Sequence, residues 1–158
     1  MDKEVYKIVY ENYDASISSG MNPFNLLWAL TKSFRCRRIY KEEGLNKSIQ
    51  YITRCSKEKE HAKCMNRDMI VYQMRKVMVT HNLVCRLFKK TFNCLENSLS
   101  LAACLVSLGY HVQLIIGKST NYVNRFFDFH AWVSFEGQPV NDTGQVLEMY
   151  VPVLKKEI

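Results

Sequence analysis

Three residues in the C-terminal half of the chain are of types that do chemistry together: Cys94, His130 and Asp142. They lie in NCLENSLSL and FDFHAWVSFEGQPVND, in the order thiol, imidazole, carboxylate. Those groups suffice to make a thiolate, hold its base and attack a peptide carbonyl. Order alone is weak, so the neighbours of each residue carry the argument. A helix opening at Cys94 would put its sulfur at the positive end of the helix dipole, beside unpaired backbone N–H groups. Both favour the thiolate, and the same N–H groups would stabilise an oxyanion. The plain alternative is a packed helix cysteine, as Cys104 is expected to be among Ala and Leu.

Strand alternation in FDFHAWV places His130 on the side of Asp128 and Trp132 and opposite Phe127, Phe129 and Ala131. For Asp142 to share the face of His130 across a hairpin, the loop must hold an odd number of residues or a bulge must intervene. A three-residue loop, Glu136-Gly137-Gln138, would satisfy that. Asp128 and Asn141 compete for the role of orienting the imidazole. Asp128 lies two strand residues away, roughly 6.6 Å, which is long for a direct hydrogen bond. Asn141 should face away, so Asp142 fits best.

The elements that must position these groups are legible as patterns. Asn22-Pro23 opens a helix through NPFNLLWALTKSF, Gly44 breaks the next segment, and LNKSIQYITRC resumes helical periodicity. Asp68 can cap a longer helix with Ile70, Met74, Val77, Met78, Cys85 and Phe88 on its apolar stripe. Cys94 to Leu108 has Leu95, Leu99, Ala102, Ala103 and Val106 on one broad face, stopped by Gly109. HVQLIIG reads as a strand and KSTNYVNR as a polar loop. FFDFHAWVSF is a second strand, EGQP a tight turn and VND the start of a third strand, with a last strand in VLEMYVPVL. Helices followed by an antiparallel sheet define an α+β fold. Residues 1–76 form a helical N-terminal region and 77–158 the core that carries the chemistry, together one compact domain.

Composition narrows the field. The 158 residues are 47% hydrophobic and 12% aromatic, a globular balance. No apolar run reaches the roughly 18 residues of a membrane span, and MDKEVYKIVYENYD lacks a secretory pattern, so a cytoplasmic location is expected. In a reducing compartment the six cysteines should be thiols, with Cys36, Cys85 and Cys104 as small core residues. The one cluster with metal-ligand character, Cys55, His61 and Cys64, has poor spacing for zinc, and no metal or cofactor is expected. The charge is uneven: residues 1–93 carry 18 Lys and Arg against 9 Asp and Glu, and residues 94–158 carry 4 against 6. A basic half suits an acidic peptide or partner. Interleaved acids and the absence of a nucleic-acid motif argue against DNA or RNA.

The blocks C-L-x-x-S-L-x-L at Cys94–Leu101, L-G at Leu108–Gly109, I-G at Ile116–Gly117, H-A-W-V at His130–Val133 and G-x-x-V-N-D at Gly137–Asp142 together resemble the lasso-peptide leader peptidases. Those are maturation proteases of the transglutaminase-like superfamily, and the resemblance covers roughly residues 77–150. It implies a papain- or transglutaminase-like core with Cys94 as nucleophile, His130 as base and acid, and Asp142 fixing the imidazole tautomer. It also implies a precursor peptide cut after a threonine at the leader's penultimate position. A separate leader-recognition protein and an ATP-dependent lasso cyclase would be its partners. Family members often carry a basic residue where Glu96 stands, and the stretch from Lys41 to Arg67 has no counterpart. Two other readings share the scaffold: a non-catalytic peptide-binding module, and another natural-product peptidase or acyltransferase.

Overall fold

The computed structural model describes residues 22–56, 67–88, 93–120 and 128–158. The first helix, α1 (Pro23–Glu43), starts as its sequence dictates: Pro23 occupies the first helical position, and Asn22 Oδ1 accepts from the Phe24 N–H at 2.9 Å. Gly44 ends it, and α2 (Leu45–Ser56) returns alongside. The third helix, α3, spans Arg67–Leu87. Asp68 therefore lies inside the first turn rather than capping it, where its carboxylate still meets the positive helix end. Met74, Val77 and Cys85 are buried as the stripe predicts, whereas Phe88 falls past the helix end and is exposed.

The central helix α4 (Cys94–Ser107) begins at the expected cysteine. It is not a one-sided amphipath: every residue from Ser98 to Ser107 is buried. Helices α1 and α2 cover one flank and the sheet the other, and the buried Ser98 and Ser100 find partners inside, Ser98 on the Ala131 carbonyl and Ser100 on His81. The sheet has the order β3-β2-β1-β4, from β1 (Gln113–Ser119), β2 (Phe129–Phe135), β3 (Gln138–Pro139) and β4 (Tyr150–Glu157), with antiparallel pairing throughout. A short helical turn, α5 (Val146–Met149), precedes β4. The last strand is thus shorter at its start than VLEMYVPVL suggests, and it pairs with β1.

One sheet face carries Leu114 and Val133 against α4 in the main core. The other carries Ile115 and Trp132, packed with Val146 and Tyr150. His130 shares the second face, because Gly117↔His130 and Ile115↔Trp132 are consecutive same-side pairs. The architecture is α+β, as the sequence implies. Among the described residues no helix is long and apolar enough to cross a membrane. The described cysteines, Cys36, Cys55, Cys85, Cys94 and Cys104, are free thiols, and all but Cys94 are buried. His61 and Cys64 lie outside the described residues, as does most of the KSTNYVNR loop.

Candidate active site

Asn93 holds the start of α4. Its Oδ1 accepts from the Glu96 N–H at 2.7 Å and its backbone carbonyl from the Asn97 N–H at 3.0 Å, which leaves Cys94 as the first helical residue. The amides of Cys94 and Leu95 are the first-turn donors not engaged by that cap. The Cys94 thiol is partly exposed and donates to the Phe129 carbonyl at 3.9 Å, one residue along β2 from His130.

His130 and Asp142 meet directly: Nε2 donates to Asp142 Oδ2 at 2.5 Å, with about a quarter of each side chain exposed. A neutral imidazole bonded in this way keeps its proton on Nε2 and leaves Nδ1 as the basic nitrogen. The route by which Asp142 arrives differs from the expected three-residue loop. Phe135 pairs with Gln138, so the turn is the two residues Glu136 and Gly137, both in the left-handed region at φ 47° and 81°. In that register Asp142 would lie opposite Ala131, on the wrong face. The third strand expected from Val140 to Asp142 does not form: β3 is only Gln138–Pro139, inside the expected EGQP turn, and residues 140–142 bend. Asn141 makes the stop. Its Oδ1 accepts the Val133 N–H at 2.7 Å, a bond that a continuing strand would have taken with its backbone. Its Nδ2 donates to Ser98 Oγ at 3.2 Å, and Ser98 Oγ donates to the Ala131 carbonyl at 2.8 Å. Asn141 therefore ties the bend, β2 and α4 together. Asp142, freed from alternation, turns to His130 and is braced by the Thr143 N–H at 2.8 Å.

An aromatic shell holds the imidazole. Trp132, fully buried, stacks on His130 with ring centroids 6.1 Å apart and planes inclined by 20°, and Tyr150 packs at 5.1 Å. Gly117 makes room: a Cβ there would lie 2.8 Å from the Tyr150 Cβ and 2.9 Å from the Trp132 ring. Asp128 does not reach His130; its Oδ2 accepts the Tyr150 hydroxyl at 3.4 Å. Burial, then the charge and hydrogen bond of Asp128, and then the nearness of Asp142 and Cys94 push the Tyr150 hydroxyl up from its ordinary value. One tyrosine thus feels the carboxylate and the sulfur from opposite ends of the constellation. Sequence patterning missed Tyr150; its alternation with Pro152 and Leu154 hints only at a strand.

Glu96 has little to do with the thiol. Nearly buried, it turns back to α1, with Arg37 Nε at 3.3 Å and Lys41 Nζ at 3.8 Å. Its charge is spent on joining two helices. A second thiol–imidazole pair lies in the core, where His81 has Cys85 Sγ 3.8 Å from Nε2. The same Nε2 meets Ser33 Oγ at 2.9 Å and Ser100 Oγ at 3.2 Å. Burial lowers His81 to about 4, so it is neutral, and no solvent reaches it.

A helix-borne thiol set beside a strand-borne imidazole–carboxylate pair is a constellation suited to acyl chemistry. The family model of the transglutaminase-like superfamily matches residues 30–155, and the chain belongs to that superfamily, whose members are generally cysteine-peptidase- or acyltransferase-like. The match extends well upstream of the blocks from Cys94 onward, into α1. Neither the curated proteins nor the solved structures contain a significant match.

Proposed function

We propose that the protein is a cysteine peptidase that removes the leader from a ribosomally made lasso-peptide precursor. The observation that carries this reading is the His130–Asp142 bond at 2.5 Å, with a helix-start thiol hydrogen-bonded to the carbonyl of Phe129, the strand residue before His130. Cys94 is the nucleophile, His130 the base and acid, and Asp142 the group that keeps the Nε2–H tautomer. In the reaction His130 Nδ1 takes the Cys94 proton and the thiolate adds to the scissile carbonyl. The resulting oxyanion sits against the amides of Cys94 and Leu95. Collapse breaks the C–N bond, and the imidazolium gives its proton to the departing amine. Water, activated by the same nitrogen, then hydrolyses the thioester and restores the thiol. The shell of Trp132 and Tyr150 keeps the imidazole plane fixed between carboxylate and sulfur through both halves. The resemblance in its sequence blocks points to the lasso-peptide precursor as substrate, with a separate leader-recognition protein and a lasso cyclase as partners.

Incubation with a lasso precursor and its recognition protein, read by mass spectrometry, tests the proposal. The expected result is two fragments whose masses sum to the precursor plus one water, and no cleavage by Cys94→Ala. Joining to an amine without gain of water would instead show acyl transfer. Cleavage that survives Cys94→Ala would end the proposal.

A further inference from the structure

A cleft of about 860 Å³ runs between α1 and α2, apart from the Cys94–His130–Asp142 constellation. Its lining carries four cations, Arg35, Arg38, Lys47 and Arg54, against two acids, Glu42 and Glu43. Arg38 is held by Glu42 at 2.8 Å, and the Arg35 guanidinium lies over the Tyr51 ring at 5.8 Å. Lys47 and Arg54 are exposed and have no acidic partner among the described residues. They are seven residues apart on α2, hence on one face and separated by roughly 10 Å along the helix. An extended peptide with acids two or four residues apart presents its carboxylates on one face at about 7 or 13 Å, spacings that the long Lys and Arg side chains bracket. Phe34 and Tyr51 give the floor of the cleft an apolar strip for the side chains between them.

The direction of the cleft relates it to the thiol. Arg37 pairs with Glu96, Cys36 Sγ donates to the Leu99 carbonyl, and Ser33 and Ser100 share His81, so α1 runs antiparallel to α4. Arg38, one residue beyond Arg37, is therefore level with Glu96 and close to the α4 start at Cys94. A chain lying in the cleft leaves it at the end of the molecule that carries the sulfur.

We infer that this cleft binds an acidic, extended segment of the peptide substrate, with carboxylates on Lys47 and Arg54. The inference rests on the peptidase reading and names the chemistry of its substrate. Binding is tested apart from cleavage, with the full chain carrying Cys94→Ala and a labelled peptide of alternating glutamate and leucine, by fluorescence anisotropy. Binding should weaken as salt rises, and Lys47→Glu with Arg54→Glu should weaken it by about tenfold or more. The milder pair Lys47→Gln and Arg54→Gln should lie between, and far-UV circular dichroism should show each variant folded. No binding, or binding indifferent to both pairs, overturns the inference. A single-stranded oligonucleotide that displaces the peptide and binds more tightly would overturn it in favour of a nucleic-acid surface. Binding of the probe together with failure of wild-type protein to cleave the lasso precursor in the presence of its recognition protein would leave the cleft standing and remove the peptidase reading.

Discussion

Among the described residues two places bring a thiol and an imidazole together, and they could hardly be more different. In the core, Cys85 and His81 sit 3.8 Å apart on one helix, sealed from solvent, with two serine hydroxyls on the same ring nitrogen and the Asn82 amide oxygen 3.4 Å from the other. At the sheet margin Cys94 does not bond to His130 at all; its hydrogen bond goes to Phe129 O. Yet the second pair has what the first lacks: a carboxylate on the far ring nitrogen, a helix start under the sulfur, and access. Burial makes His81 a poor base, and burial likewise keeps core thiols protonated, with Cys36 and Cys104 pushed up to about 12. Proximity of sulfur to nitrogen is therefore the less informative quantity. Polarity of the far side and a path for substrate matter more.

Substitutions can break this contrast. The largest effect is expected at Cys94, where Ala should reduce precursor cleavage by about ten-thousandfold, while Cys85→Ala should change it only a few-fold. Cleavage rates at saturating precursor compare the two. Asp142→Asn preserves shape but not charge and should lower kcat by about a thousandfold, through loss of the Nε2–H tautomer and of support for the imidazolium. Asn141→Ala should act through stability instead, since its side chain joins Val133 to Ser98.

The core histidine makes itself felt in stability. Its folded value of about 4 lies below the ordinary 6.5, so its contribution is complete above pH 6.5 and is lost as pH falls from 6.5 to 4. The ceiling is about 3 kcal/mol. Urea unfolding of wild type and His81→Gln across that window should show a steeper fall for wild type, and parallel curves would refute the assignment. The smallest effect is steric. Gly117→Ala presses a methyl against Tyr150 and Trp132 and should cost about 1–3 kcal/mol, seen as a lower thermal midpoint and slower cleavage.

Much of the fold could be read from local signals, because those signals are local in cause. Asn22-Pro23 sets the start of α1, and the step from helical to alternating periodicity after Gly109 marks where the sheet begins. What escaped depends on contacts between distant segments. The burial of α4 on all sides follows from the sheet and the other helices closing over serines that look polar in isolation, Ser98 against β2 and Ser100 against α3. The hairpin was misjudged by one residue, because parity alone demanded an odd loop to bring Asp142 round. The chain instead keeps a two-residue turn and lets Asn141 end the strand. Asp142 meets His130 through the bend at Asn141, and strand alternation across an odd loop plays no part. Tyr150, which packs on the imidazole, gave no chemical signal in the sequence, and Gly117 entered only as half of the Ile116–Gly117 block.

The proposed chemistry requires His130 to activate the Cys94 sulfur. Timed iodoacetamide labelling of the native protein, followed by peptide mass spectrometry, reads this without knowledge of the substrate. Cys94 should be modified first, Cys36, Cys85 and Cys104 only after unfolding, and His130→Ala should slow labelling of Cys94 by about tenfold or more. Labelling of Cys94 that is unchanged in His130→Ala, or no faster than that of the buried thiols, would contradict it.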